Sequence, residues 1–424
     1  MVEPTTIRVM VFGEAGAGKT VYLAGMFRQL SVARPDSIIT LHTREVDRLK
    51  LNRIYTDVVN PRLHDFPATT TWVADPWHFT CQFTNQHGTF YPMAVEYLDY
   101  DGRMLDPIHG ELEMSDDDVD ADPGLQQLYA YRDRADAYLI LIDGLKLLRM
   151  LCGAPELEHW LENYLGQQLQ VIERRQDHTG RRPPLHLVIT KWDLLDGRVI
   201  DGEPVTLDTI AQLLTRQGIF ADHLERRFHD KDRPVRLIPV SVTGPFAAFD
   251  EQTGRVVKVP GQPVIPCNVD IPFAALLPDI LRWRLDQMVT DLRSPADERT
   301  VERLRRSALL LRSARGLTDS VRSPLGGWIT RKLLARGVGT SASARTATAE
   351  ITKGLLDQLG VYFDNRERLA RERLATVEEE HRRRLQAITT EREAFALMVE
   401  SYIAHLDDFE DRHPGSVLTA GVPA

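Results

Sequence analysis

Residues Ile7–Thr20 read I-R-V-M-V-F-G-E-A-G-A-G-K-T: an apolar run, Ile7 to Phe12, then G-x-x-x-x-G-K-T at Gly13–Thr20. A helix-like segment begins at Val21. Strand, glycine loop and helix in this order make a phosphate cradle. The glycines let backbone N–H groups of Gly13, Glu14, Ala15, Gly16, Ala17 and Gly18 turn inward without Cβ clashes, and the helix N-terminus at Lys19, Thr20 and Val21 adds its positive dipole end. Lys19 then reaches the β- and γ-phosphates, and the Thr20 hydroxyl ligates Mg²⁺.

A phosphate cradle leaves the base open, and Leu185–Asp193, L-H-L-V-I-T-K-W-D, decides it. A buried-strand pattern ends in Thr190-Lys191-x-Asp193, which matches the [N/T]-K-x-D motif of GTPases. A carboxylate at Asp193 accepts from both N1–H and the 2-amino group of guanine, a paired contact adenine does not offer. Lys191 lays its aliphatic stem across the base. Two further pieces fall in order. Ala94–Leu98 is an apolar strand ending in Asp99-Tyr100-Asp101-Gly102, a D-x-x-G in which Asp99 holds Mg²⁺ through water and the Gly102 N–H senses the γ-phosphate. After the strand Arg236–Val240 comes Ser241-Val242-Thr243-Gly244, where loop backbone meets the guanine O6; the same pattern also serves as a plain turn.

With GEAGAGKT, DYDG, TKWD and SVTG in this order on strand ends, the chain resembles the TRAFAC class of P-loop GTPases, the Ras-like superclass, over about residues 5–293. The stretches Gly18–Phe27 and Ala135–Asp143 look more like bacterial members from multi-gene and conflict-type systems than like Ras. The resemblance implies a switch I threonine that binds Mg²⁺ between the first helix and Asp99. Thr69-Thr70-Thr71 is the cluster there, with Thr70 the first choice and Thr71 the next. It also implies a water-orienting Gln after the D-x-x-G glycine, and this chain has Arg103 instead. Arg stabilises phosphate charge but accepts no proton from water, so slow or partner-dependent hydrolysis follows; pairing of Arg103 with the acidic stretch behind it is the competing reading. Lys19, Gly102 and Arg103 are therefore the candidate catalytic groups.

The acidic stretch lies in an insertion over residues 111–124 and contains Ser-Asp-Asp-Asp-Val-Asp-Ala-Asp. It lacks the central Gly and terminal Glu of an EF-hand and reads as a solvated loop. With 424 residues and 43% apolar side chains, the chain is long enough for two or three domains with full cores. A net charge of −9 argues against a dominant nucleic-acid or acidic-membrane surface. Cys81, Cys152 and Cys267 are scattered and suggest neither disulfide frame nor zinc site. No secretory pattern opens the sequence and no stretch reaches the roughly 18 apolar residues of a spanning helix, so a cytoplasmic protein is expected.

Strand patterns near 6–12, 77–83, 90–98, 136–143, 185–191 and 235–241 alternate with helical ones near 19–33, 124–134, 156–176 and 207–227. This predicts an α/β fold, a P-loop NTPase of three α/β/α layers with a mainly parallel sheet. Segment 244–272 is an irregular or hairpin connection to a final helix, Phe273–Leu292. The expected domains are a nucleotide domain at 1–294, an all-α C-terminal region at 295–413 and a disordered tail at 414–424. Gly337–Ala349 reads as a flexible link or a small-residue helix. Val361–His413 holds no Gly or Pro, and its apolar stripe, including Phe395, Met398 and Tyr402, is interrupted at His381, Arg384 and Glu391. A helical hairpin or bundle fits that pattern better than a long zipper, and oligomers remain open. These features give two functional expectations. The first is a Mg²⁺-dependent GTP/GDP-binding switch whose C-terminal helices meet a protein effector. The second is an interaction protein that holds guanine nucleotide as a structural ligand.

Overall fold

The computed structural model describes residues 5–33, 39–63, 66, 75–99, 123–179, 182–216, 218–228, 234–291, 386 and 388–418. Its strands begin with β1 (Thr5–Phe12), β2 (Thr40–Thr43), β3 (Asp75–Asn85), β4 (Gly88–Asp99), β5 (Ala137–Asp143) and β6 (Leu185–Thr190). They continue with β7 (Val199–Ile200), β8 (Glu203–Pro204), β9 (Val235–Pro239), β10 (Ala247–Asp250), β11 (Arg255–Lys258) and β12 (Val417–Leu418). Eight of these form one sheet in the order β12-β9-β6-β5-β1-β4-β3-β2. The β4-β1-β5-β6-β9 centre is parallel, while β3, β2 and β12 join antiparallel.

The parallel strands β5, β6 and β9 are buried along their whole length, which is why they read as unbroken apolar runs. Alternation splits their side chains between two cores. Val9, Leu139, Val188 and Ile238 face one core, and Met10, Ile140, Leu187 and Leu237 face the other. Helices α1 (Lys19–Leu30) and α2 (Glu45–Val59) cover the first face. The second face takes α3 (Pro123–Arg134), α4 (Gly144–Leu151), α5 (Trp160–Thr179), α6 (Leu207–Thr215) and α7 (Gly218–Phe228). Completing the first face are α8 (Ile271–Asp291) and α9 (Glu391–Arg412). The fold is therefore the expected three-layer α/β/α with a mainly parallel sheet. The helical pattern near 207–227 resolves into two helices, with Gly218 opening the second. Among the described residues no helix is long and apolar enough to cross a membrane.

The C-terminal part departs from the expected division. Thr390 and Glu393 form a capping box that starts α9. The helix then buries Phe395, Met398, Leu406 and Phe409 in the same core as Val9 and Val11 of the central strand. Tyr402 meets Phe273 of α8 edge to face, with ring centroids 5.5 Å apart. Asn85 Nδ2, at the β3–β4 turn, donates to Ile388 O at 2.8 Å. At the far end Val417 and Leu418 pair with Arg236 and Val235, forming an edge strand where a disordered tail was expected. Phe395, Met398 and Tyr402 are thus buried in the core of the α/β fold itself, with Tyr402 against α8. The core does not end at residue 294, because α9 packs beside α8 on the same sheet face and shares its core. Residues 292–385 lie outside the described residues.

Phe395→Ala is expected to lower stability by about 3–5 kcal/mol, the usual range for emptying a buried aromatic site. A fragment ending at residue 294 is expected to lose cooperative unfolding in thermal scans followed by circular dichroism. An independently folded 1–294 fragment with a sharp transition would contradict this placement of α9.

Candidate functional site

The loop Gly13–Gly18 leaves the end of β1 and enters α1 at Lys19. Gly18 caps this helix with φ 86°, and Gly16 has φ 84°, left-handed values that favour glycine. No side chain caps α1, so its first N–H groups face the loop. Lys19 curls back over the loop, its Nζ donating to Gly13 O at 2.6 Å and Glu14 O at 3.1 Å. The Thr20 hydroxyl donates to Asp99 Oδ2 at 2.6 Å. Asp99 ends β4, the parallel neighbour of β1, so both chemistries sit at the same sheet edge.

The second loop interlocks with the first. Thr190 Oγ1 donates to Ala17 O at 2.8 Å. Lys191, in a left-handed conformation at φ 53°, sends its Nζ to Gly16 O at 3.0 Å and to both oxygens of Asp143 at 2.8 Å. Asp143 ends β5 directly beside Thr190 and also caps α4, accepting from Leu145 N at 2.9 Å. The next residue must be glycine: a Cβ on Gly144 would stand 2.1 Å from Thr190 O. Backbone bonds from Trp192 N to Val240 O, at 3.1 Å, and from Val240 N to Ile189 O, at 2.7 Å, bring in the third loop. There Ser241 Oγ accepts from Gly244 N at 2.8 Å and more weakly from Thr243 N at 3.3 Å. The turn reading of Ser241–Gly244 therefore holds for the serine hydroxyl.

These loops enclose one pocket. Gly16, Gly18, Thr190, Lys191, Asp193 and Thr243 line it, together with Val240 and Val242. Both Asp193 carboxylate oxygens are buried without a hydrogen-bond partner among the described residues. Burial pushes this carboxyl from the ordinary 3.8 up to about 6. The nearby Ser241 hydroxyl and the residue's own N–H fall short of hydrogen-bond geometry and oppose the shift only in part.

Of the groups expected from the sequence, the structure gathers Gly13–Val21, Asp99, Thr190, Lys191, Asp193 and Ser241–Thr243 around this sheet edge. Thr70, Gly102 and Arg103 lie outside the described residues, as does the acidic stretch 111–122. The sequence reading missed Asp143, although a lone carboxylate closing the fully apolar run Ala137–Ile142 was a visible signal. It also missed the partners of Glu14, which pairs with Lys146 and accepts from Trp160 Nε1 at 2.8 Å. Nothing in the motif spacing points to those two.

No family model matches the chain, and no curated protein sequence matches it. Solved structures with distant similarity include the following two. The signal recognition particle receptor SRb-GTP/SRX complex from Chaetomium thermophilum is 16% identical, with a TM-score of 0.30, covering 56% of this chain and 91% of that one. Roco2 RocCORdC from Methanosarcina barkeri, bound to GDP, is 11% identical with a TM-score of 0.23, covering 96% and 91%. The site assignment rests on the geometry above.

Because the folded-state pKa of Asp193 lies above its unfolded value, the folded chain holds the proton more tightly. Stability contributed through this group therefore falls as pH rises from about 4 to about 6. Asp193→Asn removes the buried charge, so the ligand-free variant is expected to resist urea better than wild type at pH 7 and equally below pH 4. A variant less stable than wild type at pH 7 would show that the carboxylate is satisfied.

Proposed function

We propose that this chain is a Mg²⁺-dependent guanine-nucleotide-binding protein that hydrolyses GTP slowly, a P-loop GTPase of the TRAFAC type. The observation that carries this reading is the Asp193 carboxylate, a buried pair of acceptors lacking donors, in one pocket with the phosphate loop. Guanine supplies two adjacent N–H donors and adenine does not. Lys191, fixed by Asp143 and Gly16 O, lays its stem along the base. The Gly13–Gly18 backbone and the α1 N-terminus suit the α- and β-phosphates, with Lys19 released from its carbonyl contacts to the β- and γ-phosphates. Thr20 and Asp99 are hard oxygen donors side by side and suit Mg²⁺, which neutralises phosphate charge when bound. Thr70 completes the metal site in this proposal, and Gly102 reads the γ-phosphate.

Full metal and γ-phosphate chemistry supports a switch, with the C-terminal region as the surface that passes the state to a protein effector. Because α9 shares the sheet core, the relay runs through a packed element rather than a tethered domain. The second reading, a protein that keeps guanine nucleotide as a structural ligand, draws on Arg103, which supplies no base for the attacking water.

Calorimetry is expected to show GTP and GDP binding with Mg²⁺ far tighter than ATP. Asp193→Asn should shift preference toward xanthine nucleotides, and Lys19→Ala should abolish triphosphate binding while the fold persists. Affinity for guanine nucleotides should fall about tenfold per pH unit below about 6, as Asp193 takes up its proton. Equal affinities for GTP and ATP would sink this reading.

Single-turnover assays separate the switch from the structural ligand. Arg103→Gln is expected to raise intrinsic hydrolysis, since a water-orienting group is restored. An unchanged or lower rate would assign Arg103 a role in catalysis or structure instead.

A further inference from the structure

Part of the pocket wall comes from segments far from the phosphate loop in sequence. They are Val58 near the end of α2, Phe66, and Ala247 and Val256 of the β10–β11 hairpin. Lys258 closes that hairpin opposite Ala247. Its side chain crosses to α2, where Nζ donates to Asp57 O at 2.6 Å and Asn60 O at 3.1 Å. The same Nζ lies 5.2 Å from the centre of the Phe66 ring. Asp57 and Asn60 stand at the C-terminal end of α2, where carbonyls run out of helical donors and the dipole favours a cation. Lys258 is only 8% exposed, so its charge depends on such partners.

The hairpin is anchored on its other side to the base loops. It follows directly on the Gly244–Phe246 turn, and Val259 N donates to Phe246 O at 2.8 Å. Arg198, just beyond the Trp192–Leu194 turn, holds Glu251 at 2.7 Å and lies over Phe249. One end of Lys258 thus belongs to the base-loop wall, and its charged end grips the α2 wall.

We infer that Lys258 is a positioning residue that clasps the end of α2 to the β10–β11 hairpin across the base pocket and thereby sets the release rate of a bound purine nucleoside di- or triphosphate. The inference rests on the guanine-nucleotide reading for the identity of the ligand. Two charge-assisted hydrogen bonds to helix-terminal carbonyls hold the walls together, and a departing base has to part them. Arrival is limited by encounter, so the clasp acts on dissociation more than on association.

The test uses the full chain and Lys258→Met, which removes the donors but keeps an apolar stem against Phe66. Two measurements are made: release of fluorescent mant-GDP chased with excess GDP, and amide hydrogen exchange in the nucleotide-free protein. Expected are release about tenfold faster with association changed less than about twofold, and faster exchange at residues 55–60 and 247–258 but not in β1 or β5. Lys258→Arg, which keeps a cation and several N–H donors, should recover slow release. Unchanged release from K258M overturns the clasp, as does exchange that rises across the whole sheet, the mark of a merely structural lysine. If wild type binds no mant-GDP, the guanine reading fails separately, and the exchange at 55–60 and 247–258 still decides whether Lys258 joins the two walls. If K258M does not fold, Lys258→Gln, with an amide donor on a shorter stem, takes its place with the same deciding outcomes.

Discussion

The contacts of Thr190 and Lys191 with the carbonyls of Ala17 and Gly16 are the constraint on which the site depends. A glycine loop that cradles phosphate must turn its N–H groups toward the ligand, so its carbonyls point away and need donors elsewhere. Here the donors come from the loop that carries Asp193. The two halves of the pocket are therefore coupled: a shift of the Gly13–Gly18 loop strains its bonds to Thr190 and Lys191. Asp143 extends the lock by holding Lys191 with both oxygens while its own place is fixed as the cap of α4. Strand register makes this possible: Asp143 and Thr190 stand opposite each other at the ends of β5 and β6, while β1 ends at Phe12, level with Ile140, and the glycine loop covers the remaining distance to them.

The centre of this arrangement was legible because each part is local. A glycine run after an apolar strand, or a carboxylate three residues beyond Thr190, is read from a few neighbouring side chains. The hydrophobic runs of β5, β6 and β9 were equally plain, since burial on both faces erases alternation. The face of the sheet covered by the C-terminus was not legible. The stripe in α9 identifies a helix that needs a partner, yet an apolar stripe does not say which surface it covers. Val417 and Leu418 are too short to show any period, and they become a strand only because β9 presents an edge. Helix α2 went unseen for a related reason: it buries only Asp47, Leu51 and Val58 and so has a narrow apolar side.

The outer wall of the pocket was hidden by sequence distance. Lys258 lies about two hundred residues from Asp57 and Asn60, and a lysine ending a short strand carries no mark of a helix-capping role. The turn-rich composition of 244–272 allowed a hairpin without indicating that it lines the pocket.

Burial of Arg236 gives α9 a second hold on the fold, one that apolar packing does not supply. The guanidinium sits in β9 at 5% exposure, between Asp279 of α8 and Glu410 of α9, with Nε 2.9 Å from the Glu410 carboxylate. His186 of the neighbouring strand β6 stands 3.2 Å from the same Asp279. Such a cluster contributes little net stability when intact, but removing one partner leaves an uncompensated buried charge, which is strongly destabilising. The cluster ties α9, through Glu410, to the same strand residue that α8 holds through Asp279. Three residues beyond Arg236, Pro239 leads through Val240 into Ser241–Thr243 of the pocket. Pro239 O also accepts from Asn268 at 3.1 Å, just before Asp270 meets His405 of α9 at 2.8 Å. Helix α9 is thus tied at two points to the strand and segment that flank Ser241–Thr243, through Glu410 to Arg236 and through His405 to Asp270.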